Sequence, residues 1–354
     1  MKILFLTDDR EDFLADSLLH GLITLGDHQI IDYPQKYLLY SESFPTRRRS
    51  MIHGNGFTLY GLLANREVDR TLIWKRLEQG EFDIIFIGNI WRQFGQFSQV
   101  AKSISRCPRP TKLAILDGDD DPRLFPYSTA RIRDFGTCAN HLGKLGNTEL
   151  FYFKRELNLD ECQSWIEHLI PHSWRQTLRK YLGARQFYFR QCSFSIPQQW
   201  IRSPHSKNKK KRFATHIVDR EVAEYFQEGT SGYAFETERE YFDDLSSARY
   251  GITTKRSGWD CLRHYEIAAA GCVPCFRQLD RKPSNAAPHG MNASNCIIYE
   301  SASDLEQKIS AIDEQTYNGM LNSSHQWVLD HTTDKEAIRI LRDIMSPKND
   351  TSAV

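Results

Sequence analysis

The sequence predicts an α/β protein made of two successive domains, each built on a parallel sheet. Short apolar strands alternate with amphipathic helices along most of the chain, as in proteins whose sheets are parallel. A stretch rich in proline, serine and lysine at about residues 193–212 interrupts this alternation, which then resumes. Because 354 residues suffice for two separate cores, we expect two domains joined by that stretch.

The first domain opens with a strand–helix–strand unit. Residues 2–6 form an apolar run that ends in a polar turn, and apolar residues recur at helical spacing over 13–25 before Gly26. Residues 28–34 supply the second strand. Such a unit begins a parallel sheet, and open sheets of this kind bind their ligands on the loops that follow the strands.

The rest of the first domain contains a long irregular stretch between predicted strands. Further strands are predicted at residues 82–90, 111–117 and 149–157, followed by a helical pattern at 158–185. The irregular stretch, residues 33–63, carries several aromatic residues, a basic triplet at 47–49 and the flexible sequence HGNG at 53–56. Because long loops inside compact domains are often functional, we expect this one to contribute to a site.

The second domain repeats the alternation of strands and helices. Its predicted strands are residues 212–218, 232–237, 249–254, 273–276 and 296–301. Its predicted helices are residues 238–248, 260–270 and 303–312, and a last helix is predicted over 337–345. We place the domains at 1–185 and 186–335, followed by a C-terminal helix and tail at 336–354.

Composition and charge limit the classes of partner. The 46 basic and 45 acidic residues give a net charge of +1, so overall charge predicts no nucleic-acid partner. No apolar run is long enough to span a membrane, and the N-terminal apolar run is too short for a signal peptide. The eight cysteines are too sparse for a disulfide framework, and we expect Cys272 and Cys275 to be small buried hydrophobic residues. These features favour a cytoplasmic protein.

The most informative stretch is residues 251–276, which reads as a strand end, a polar loop bounded by glycines, a helix and a second strand. We expect Asp260 to cap the start of this helix and Gly271 to end it. The start of a helix presents free N–H groups and the positive end of the helix dipole, both of which suit a phosphate. This arrangement predicts an anion site at the loop.

Two charged residues of the same helix have a matching chemistry. Lys255 in the loop or Arg263 in the helix suits a diphosphate, since a guanidinium can bind two phosphate oxygens at once. Glu266 lies one turn beyond Arg263 on the same face and suits a pair of sugar hydroxyls. The alternative is that Arg263 and Glu266 form an ordinary ion pair on the helix surface.

The stretch GWDCLRHYEIAAAGCVPCF resembles the donor-site motif of GT-B glycosyltransferases, most closely that of the exostosin-like and bacterial family 1-like types. In these proteins the pattern G-x-D-x-x-R-x-x-E-A-x-x-x-G-C-x-P-V recurs. Seven residues match it: Gly258, Asp260, Arg263, Glu266, Gly271, Cys272 and Pro274. Ile267 and Cys275 depart from it. The resemblance covers about twenty residues and is weaker elsewhere.

The resemblance implies two Rossmann-like domains that face each other across a cleft, with the nucleotide held by the second domain and a last helix that returns to the first. It implies that Arg263 contacts the donor phosphates and Glu266 the ribose. We add to this donor site the loop residues and a histidine at a strand end: Lys255, Ser257, Gly258, Trp259, Asp260 and His216. The nucleotide sugar is a substrate, so no cofactor is expected.

The motif also bears on stereochemistry. Many retaining GT-B enzymes have a second glutamate eight residues before the one that matches Glu266, and Gly258 stands at that position here. The resemblance therefore favours an inverting transfer. Inversion needs a general base near the acceptor hydroxyl, normally from the first domain.

An acidic cluster and a histidine are the candidates for that base. Asp117 and Asp119 belong to a run of carboxylates at the end of a predicted strand, where site residues of open sheets lie. His53, in the HGNG sequence, is the third candidate. The acidic run has two other interpretations, namely a divalent metal site, as in phosphohydrolases, and a solvent-exposed helix cap. No motif predicts a metal site elsewhere.

We predict a glycosyltransferase of polysaccharide biosynthesis that moves a sugar from a nucleotide-sugar donor to a glycan, a lipid-linked or another hydroxyl acceptor without an essential metal. Two alternatives stay open: a non-catalytic nucleotide-binding or scaffold protein of the same fold, and a metal-dependent phosphohydrolase that uses Asp117 and Asp119. The basic stretch at residues 206–212 is either solvated or a peripheral contact with an anionic membrane.

Overall fold

The structure, a computed structural model, describes residues 1–44, 52–122, 148–158, 187–205, 209–232 and 235–347. The chain divides into two compact units. The first comprises Met1–Pro45, Tyr60–Cys192 and Ala337–Val354, and the second comprises Thr46–Leu59 and Ser193–Glu336. The second unit therefore includes a segment from early in the chain, which the predicted boundaries at residues 185 and 335 did not anticipate.

Within the described residues, the first unit has a six-stranded parallel sheet. Its strands are β1 (Lys2–Leu6), β2 (Gln29–Tyr33), β3 (Ile84–Ile87), β4 (Thr111–Asp117), β5 (Thr148–Lys154) and β6 (Phe187–Gln191). They are ordered β2-β1-β3-β4-β5-β6 across the sheet. Strand β2 thus lies on one side of β1, and β3 to β6 lie on the other. The loops after β1 and β3 meet at this change of direction, which is where ligands bind in open sheets.

The first unit contains the helices α1 (Phe13–Leu25), α2 (Ile73–Glu78) and α3 (Phe94–Ile104). Helix α1 begins and ends at typical capping residues. The Asp12 carboxylate caps α1 by accepting the Ala15 N–H at 3.0 Å, and Gly26 ends that helix in the left-handed conformation. The predicted strand–helix–strand opening of the chain is confirmed.

The second unit has, in its described residues, a four-stranded parallel sheet ordered β10-β9-β8-β7. The strands are β7 (Lys211–Phe213), β8 (Ala248–Thr254), β9 (Val273–Arg277) and β10 (Ile297–Tyr299). The helices are α4 (Arg220–Phe226), α5 (Glu238–Ser247), α6 (Leu262–Ala269), α7 (Ala302–Ala311) and α8 (Glu314–Leu329), and α9 (Thr333–Met345) follows.

Strand β9 shows how this sheet is packed on both faces. Val273 and Cys275 belong to one buried apolar cluster, while Cys272 and Phe276 belong to another, as the period of two along a strand requires. Burial raises the pKa of Cys272 to about 12 and that of Cys275 well above its usual value. Both residues are therefore the small buried hydrophobic side chains that the sequence predicts, because neither thiol ionises at neutral pH.

Two predicted elements, the strand at 232–237 and the helix at 158–185, are not among the described strands and helices. The strand predicted over 232–237 is not found in the described residues of that stretch. Thr237 instead caps α5 and forms a reciprocal capping box with Glu240. The helix predicted at 158–185 lies outside the described residues from position 159 onward.

Candidate functional site

The loop of the predicted donor site connects the end of β8 to the start of α6. The predicted N-cap Asp260 is wrong, because Cys261 occupies that position and α6 begins at Leu262. The Asp260 side chain is buried and acts as a brace instead. Its Oδ2 accepts the Phe194 N–H at 2.8 Å, and its Oδ1 accepts the Tyr265 hydroxyl at 2.9 Å. A carboxylate committed to two internal donors fixes the loop rather than contacting a ligand.

The far end of α6 is tied by a Schellman motif. The Gly271 N–H donates to the Ala268 carbonyl at 3.0 Å, and the Cys272 N–H donates to the Ile267 carbonyl at 3.1 Å. Gly271 has a φ of +71°, and a Cβ added there would lie 2.9 Å from the backbone of Pro204. The predicted end of the helix at Gly271 is thus confirmed, and the helix leads directly into β9.

A second glycine sets how closely α6 approaches the sheet. A Cβ added to Gly251 in β8 would lie 2.6 Å from the Ile267 side chain, which is itself fully buried. Only glycine permits this contact, because real Cβ atoms do not approach other heavy atoms so closely. The position of α6, and of the charged residues on it, depends on this residue.

Arg263 and His216 lie together at the start of α6. A guanidinium nitrogen of Arg263 donates to Nδ1 of His216 at 2.9 Å. Burial and the neighbouring Arg263 charge lower the pKa of His216 from 6.5 to about 4, so the imidazole is neutral at pH 7. A neutral acceptor orients the guanidinium without cancelling its charge, so the anion site predicted at this helix keeps its cation.

The loop before the helix adds exposed positive charge. The Lys255 ammonium lies 4.9 Å from the centre of the Trp259 ring, and Trp259 stacks on Phe276 with centroids 6.3 Å apart. Ser257 is exposed. Gly258 is buried, and its carbonyl accepts the Arg256 N–H at 3.0 Å. Four of the predicted donor residues, Lys255, Ser257, Gly258 and Trp259, thus form one loop at the carboxyl end of β8.

Glu266 is occupied in this structure. Its Oε1 accepts the Thr58 hydroxyl at 2.6 Å, and its Oε2 accepts the Tyr241 hydroxyl at 2.6 Å. Only 8% of the residue is exposed. The residue lies on the same helix as Arg263, as the spacing predicts, but protein hydroxyls already hold both of its oxygens.

Thr58 is a site residue that the sequence did not reveal. It follows the HGNG sequence and belongs to the second unit, where it is fully buried. Its only sequence signal is a threonine within an irregular aromatic stretch, and such a threonine has no specific meaning by itself.

Asp117, predicted as catalytic, is a buried member of a hydrogen-bonded ion pair in the first unit. Its Oδ1 lies 3.0 Å from the Lys154 ammonium and accepts the Trp91 indole N–H at 3.2 Å, while its Oδ2 accepts the Tyr152 hydroxyl at 2.5 Å. Both charged side chains are almost completely buried. These contacts favour a structural role for Asp117, because removing either charge would leave the other unpaired.

Asp119 and His53 are more accessible than Asp117. Asp119 lies just beyond β4 and accepts the Asp121 N–H at 2.9 Å through one carboxylate oxygen. His53 is exposed and starts a short 3₁₀ helix, His53–Gly56. Asp117 and Asp119 belong to the first unit, whereas His53 belongs to the second.

A further polar cluster lies where the loops after β1 and β3 meet. Arg92 contacts the carboxylates of Asp8 at 3.1 Å and Asp12 at 2.8 Å, and the Asn89 amide donates to Asp12 at 2.7 Å. We did not predict this cluster. The sequence signal for it is that each of these two strands is followed at once by polar residues.

In the described part of the chain, no group of three or more His, Cys, Asp or Glu side chains is arranged to hold a metal ion. In the same residues no helix has both the length and the apolar character needed to cross a membrane.

The described part of the basic stretch lines a cavity on the second unit. Residues 206–208 lie outside the described chain. The residues that follow help to line a cavity of about 360 Å³, whose basic members are Lys209, Lys210, Lys211, Arg212 and Arg249. Several of these cations are paired, for example Arg249 with Glu314 at 2.9 Å.

Comparison with known proteins identifies the fold. No family model matches the sequence, and no curated protein is similar to it. Two solved structures of Anabaena HepE, one with UDP and glucose and one with UDP, are similar to this chain. Each match covers 98% of this chain and 100% of the HepE chain. Their TM-scores are 0.51 and 0.50, each at 10% identity. Thermosynechococcus elongatus sucrose-phosphate synthase has the same coverage, a TM-score of 0.48 and 11% identity.

The HepE likeness and the two parallel sheets together confirm the fold class predicted from the sequence, an α/β chain of two Rossmann-like units of the GT-B type.

Proposed function

We propose that this protein is a cytosolic glycosyltransferase that moves a sugar from a nucleotide-sugar donor to a hydroxyl group of a glycan, a lipid-linked or another acceptor. One observation carries the proposal. Arg263 stands in the first turn of α6, at the carboxyl end of a parallel sheet, and is oriented by a neutral histidine. A helix start with an oriented guanidinium suits a diphosphate.

The second unit is the donor side in this proposal. Arg263 and the N–H groups at the start of α6 bind the diphosphate, and Lys255 in the exposed loop adds positive charge. These groups stabilise the charge that develops on the departing nucleotide diphosphate. Because they supply that charge themselves, we propose a transfer that needs no divalent metal. Glu266 is assigned to the ribose hydroxyls.

The first unit is the acceptor side, and the proposed stereochemistry is inversion. A carboxylate takes the proton of the acceptor hydroxyl, and the oxygen attacks the anomeric carbon opposite the leaving group. The nucleotide diphosphate departs with the electrons of the broken C–O bond. Gly258 leaves no side-chain carboxylate where a retaining enzyme has one. We assign the base to Asp119, since the Asp117 carboxylate is held by Lys154 and Tyr152.

The experiment is calorimetric titration of the full chain with UDP-, GDP-, ADP-, CMP- and dTDP-linked sugars. We expect one nucleotide class to bind and Arg263→Ala to weaken it about 30-fold, the loss of one charge-assisted contact. Lys210→Ala is the matched control, because Lys210 is an exposed cation just before β7, at the opposite end of the strands. Binding of no nucleotide sugar, or equal binding by Arg263→Ala, would show that the donor assignment is wrong.

Transfer assays separate this proposal from its alternatives. Product formation that persists in EDTA supports a metal-independent transferase, whereas phosphate release that EDTA abolishes supports a phosphohydrolase. Tight nucleotide binding without transfer to any acceptor extract supports a scaffold protein. The observation that favours the scaffold alternative is that both carboxylate oxygens of Glu266 already accept hydrogen bonds from protein hydroxyls.

Peripheral contact with an anionic membrane is a further part of the proposal. The cavity beside Lys210 is lined by five basic residues, and clustered cations attract anionic headgroups. Sedimentation with anionic vesicles, compared with neutral ones, tests this contact, and equal sedimentation with both would refute it.

A further inference from the structure

A short segment from early in the chain completes the donor side of the second unit. We call residues 52–59 the strap. They are part of the segment Thr46–Leu59, which belongs to the second unit although the chain before and after that segment belongs to the first. The strap therefore reaches Glu266 from a position 208 residues away in the sequence.

The strap is anchored by apolar and polar contacts within that unit. Phe57 is buried in the same apolar cluster as Tyr241, and the two rings lie 6.3 Å apart. The Asn55 amide donates to the Phe235 carbonyl at 3.3 Å. These contacts place the residue that follows Phe57 directly beside Glu266.

Thr58 is held by all three of its polar groups. Its N–H donates to the Glu238 carboxylate, its carbonyl accepts the Trp200 indole N–H at 2.8 Å, and its hydroxyl donates to Glu266 at 2.6 Å. Its φ is +79°, which a β-branched residue rarely adopts. A conformation this unfavourable persists only where the surroundings impose it, and such residues concentrate at ligand sites and switches.

The contact with Glu266 has the chemistry of a bound sugar. One hydroxyl donates to each carboxylate oxygen, from Thr58 and from Tyr241, just as the two hydroxyls of a ribose would. Because Glu266 is only 8% exposed, a ribose cannot reach it while the Thr58 hydroxyl stays in place.

We propose that the strap occupies the ribose subsite in the free protein and that a nucleotide displaces it, so that the Thr58 hydroxyl and a ribose hydroxyl alternate on Glu266. This inference rests on the proposed nucleotide-sugar site. Nucleotide binding then releases Thr58 from its unfavourable conformation, and donor affinity is set partly by the cost of breaking the strap contact.

The test measures UDP affinity by calorimetry in the full chain, or affinity for whichever nucleoside diphosphate the wild-type protein binds. Thr58→Val keeps the shape of the side chain and removes the hydroxyl. It should tighten binding about fivefold, because the ribose no longer competes with a hydrogen bond. Thr58→Ser, which restores a hydroxyl, should bind closer to wild type than Thr58→Val does.

A second variant loosens the strap without altering Glu266. Glu238→Ala removes the acceptor of the Thr58 N–H and should also tighten binding, while Arg239→Ala, the neighbouring exposed position, serves as the control. Amide hydrogen exchange should show faster exchange in residues 52–59 when the nucleotide is added.

Weaker or unchanged affinity in both Thr58→Val and Glu238→Ala, or unchanged exchange in the strap, would overturn the inference. These results differ from a failure of the proposed function itself, in which the wild-type protein binds no nucleoside diphosphate or Arg263→Ala binds as tightly as wild type.

Discussion

His216 accepts a hydrogen bond from Arg263 through Nδ1 at 2.9 Å, and this contact joins the segment after β7 to the start of α6. The histidine is 9% exposed and has a pKa lowered to about 4 by burial and by the guanidinium. It therefore remains a hydrogen-bond acceptor throughout the neutral pH range.

The lowered pKa of His216 predicts a loss of stability in mild acid. Because the folded-state pKa of about 4 lies below the usual 6.5, the unfolded chain binds more protons between these values. The contribution of His216 is complete above pH 6.5 and is lost as pH falls toward 4. We expect the free energy of unfolding to fall by about 2 kcal/mol between about pH 7 and about pH 4.5 from this residue. Urea unfolding of wild type and His216→Gln checks this, and parallel pH profiles for the two would contradict it.

Gly251 predicts a second effect on stability. Gly251→Ala places a methyl group against the buried Ile267 and should lower the free energy of unfolding by about 2 kcal/mol. Gly251→Ala should also weaken nucleotide binding, because it pushes α6 away from β8. Adding Ile267→Ala should restore part of that affinity, because the smaller side chain lets α6 pack against β8 again. Gly319→Ala in α8 is the control, because a Cβ there meets nothing within 4 Å. We expect that control to stabilise the protein slightly, as alanine does in helices.

The ion pair of Asp117 and Lys154 predicts opposite outcomes for two neighbouring aspartates. Asp117→Asn leaves a buried ammonium uncompensated and should cost about 3 kcal/mol or more of stability. The double variant with Lys154→Met should regain part of that loss. Asp119→Asn should leave the melting temperature unchanged and abolish transfer. Transfer at the wild-type rate by Asp119→Asn would remove Asp119 as the base.

The φ of Thr58 predicts an unusual order of substitutions. Thr58→Gly and Thr58→Ala both lose the hydroxyl, but glycine adopts a φ of +79° without steric cost. The glycine variant should therefore be more stable than the alanine variant by about 1 kcal/mol, the reverse of the order in helices. Urea unfolding of the two variants measures the difference. Equal stabilities would mean that the backbone at Thr58 carries little strain.

The elements that the sequence predicts correctly have local causes. An apolar run predicts a strand, and a glycine after a helical pattern predicts the end of a helix. Both signals depend on a few neighbouring residues, so strands such as β1 and β8 and the end of α6 could be predicted from the sequence. Helix α2 has a weaker sequence signal. It has six residues and begins after Leu72, which is in the left-handed conformation, so it has no capping side chain and is shorter than two helical turns.

The candidate site was predictable only where it is contiguous. Lys255, Arg263 and Glu266 belong to one stretch, residues 251–276, and the structure places them on one loop and helix. The error at Asp260 has a tertiary cause, since its carboxylate is claimed by Phe194 and Tyr265 rather than by the start of α6. The occupation of Glu266 could not be predicted at all, because Thr58 reaches it across 208 positions of sequence.

The early-chain origin of the strap also constrains how the protein can be recombined. Consider a chimera in which residues 193–336 are replaced by those of another protein in order to change donor specificity. Its Thr58 would still come from the original protein and would face a Glu266 pocket that comes from the other. Residues 52–59 should therefore be exchanged together with the second unit. The second unit is built from two separate segments of the chain, so its sequence cannot be exchanged as one continuous block.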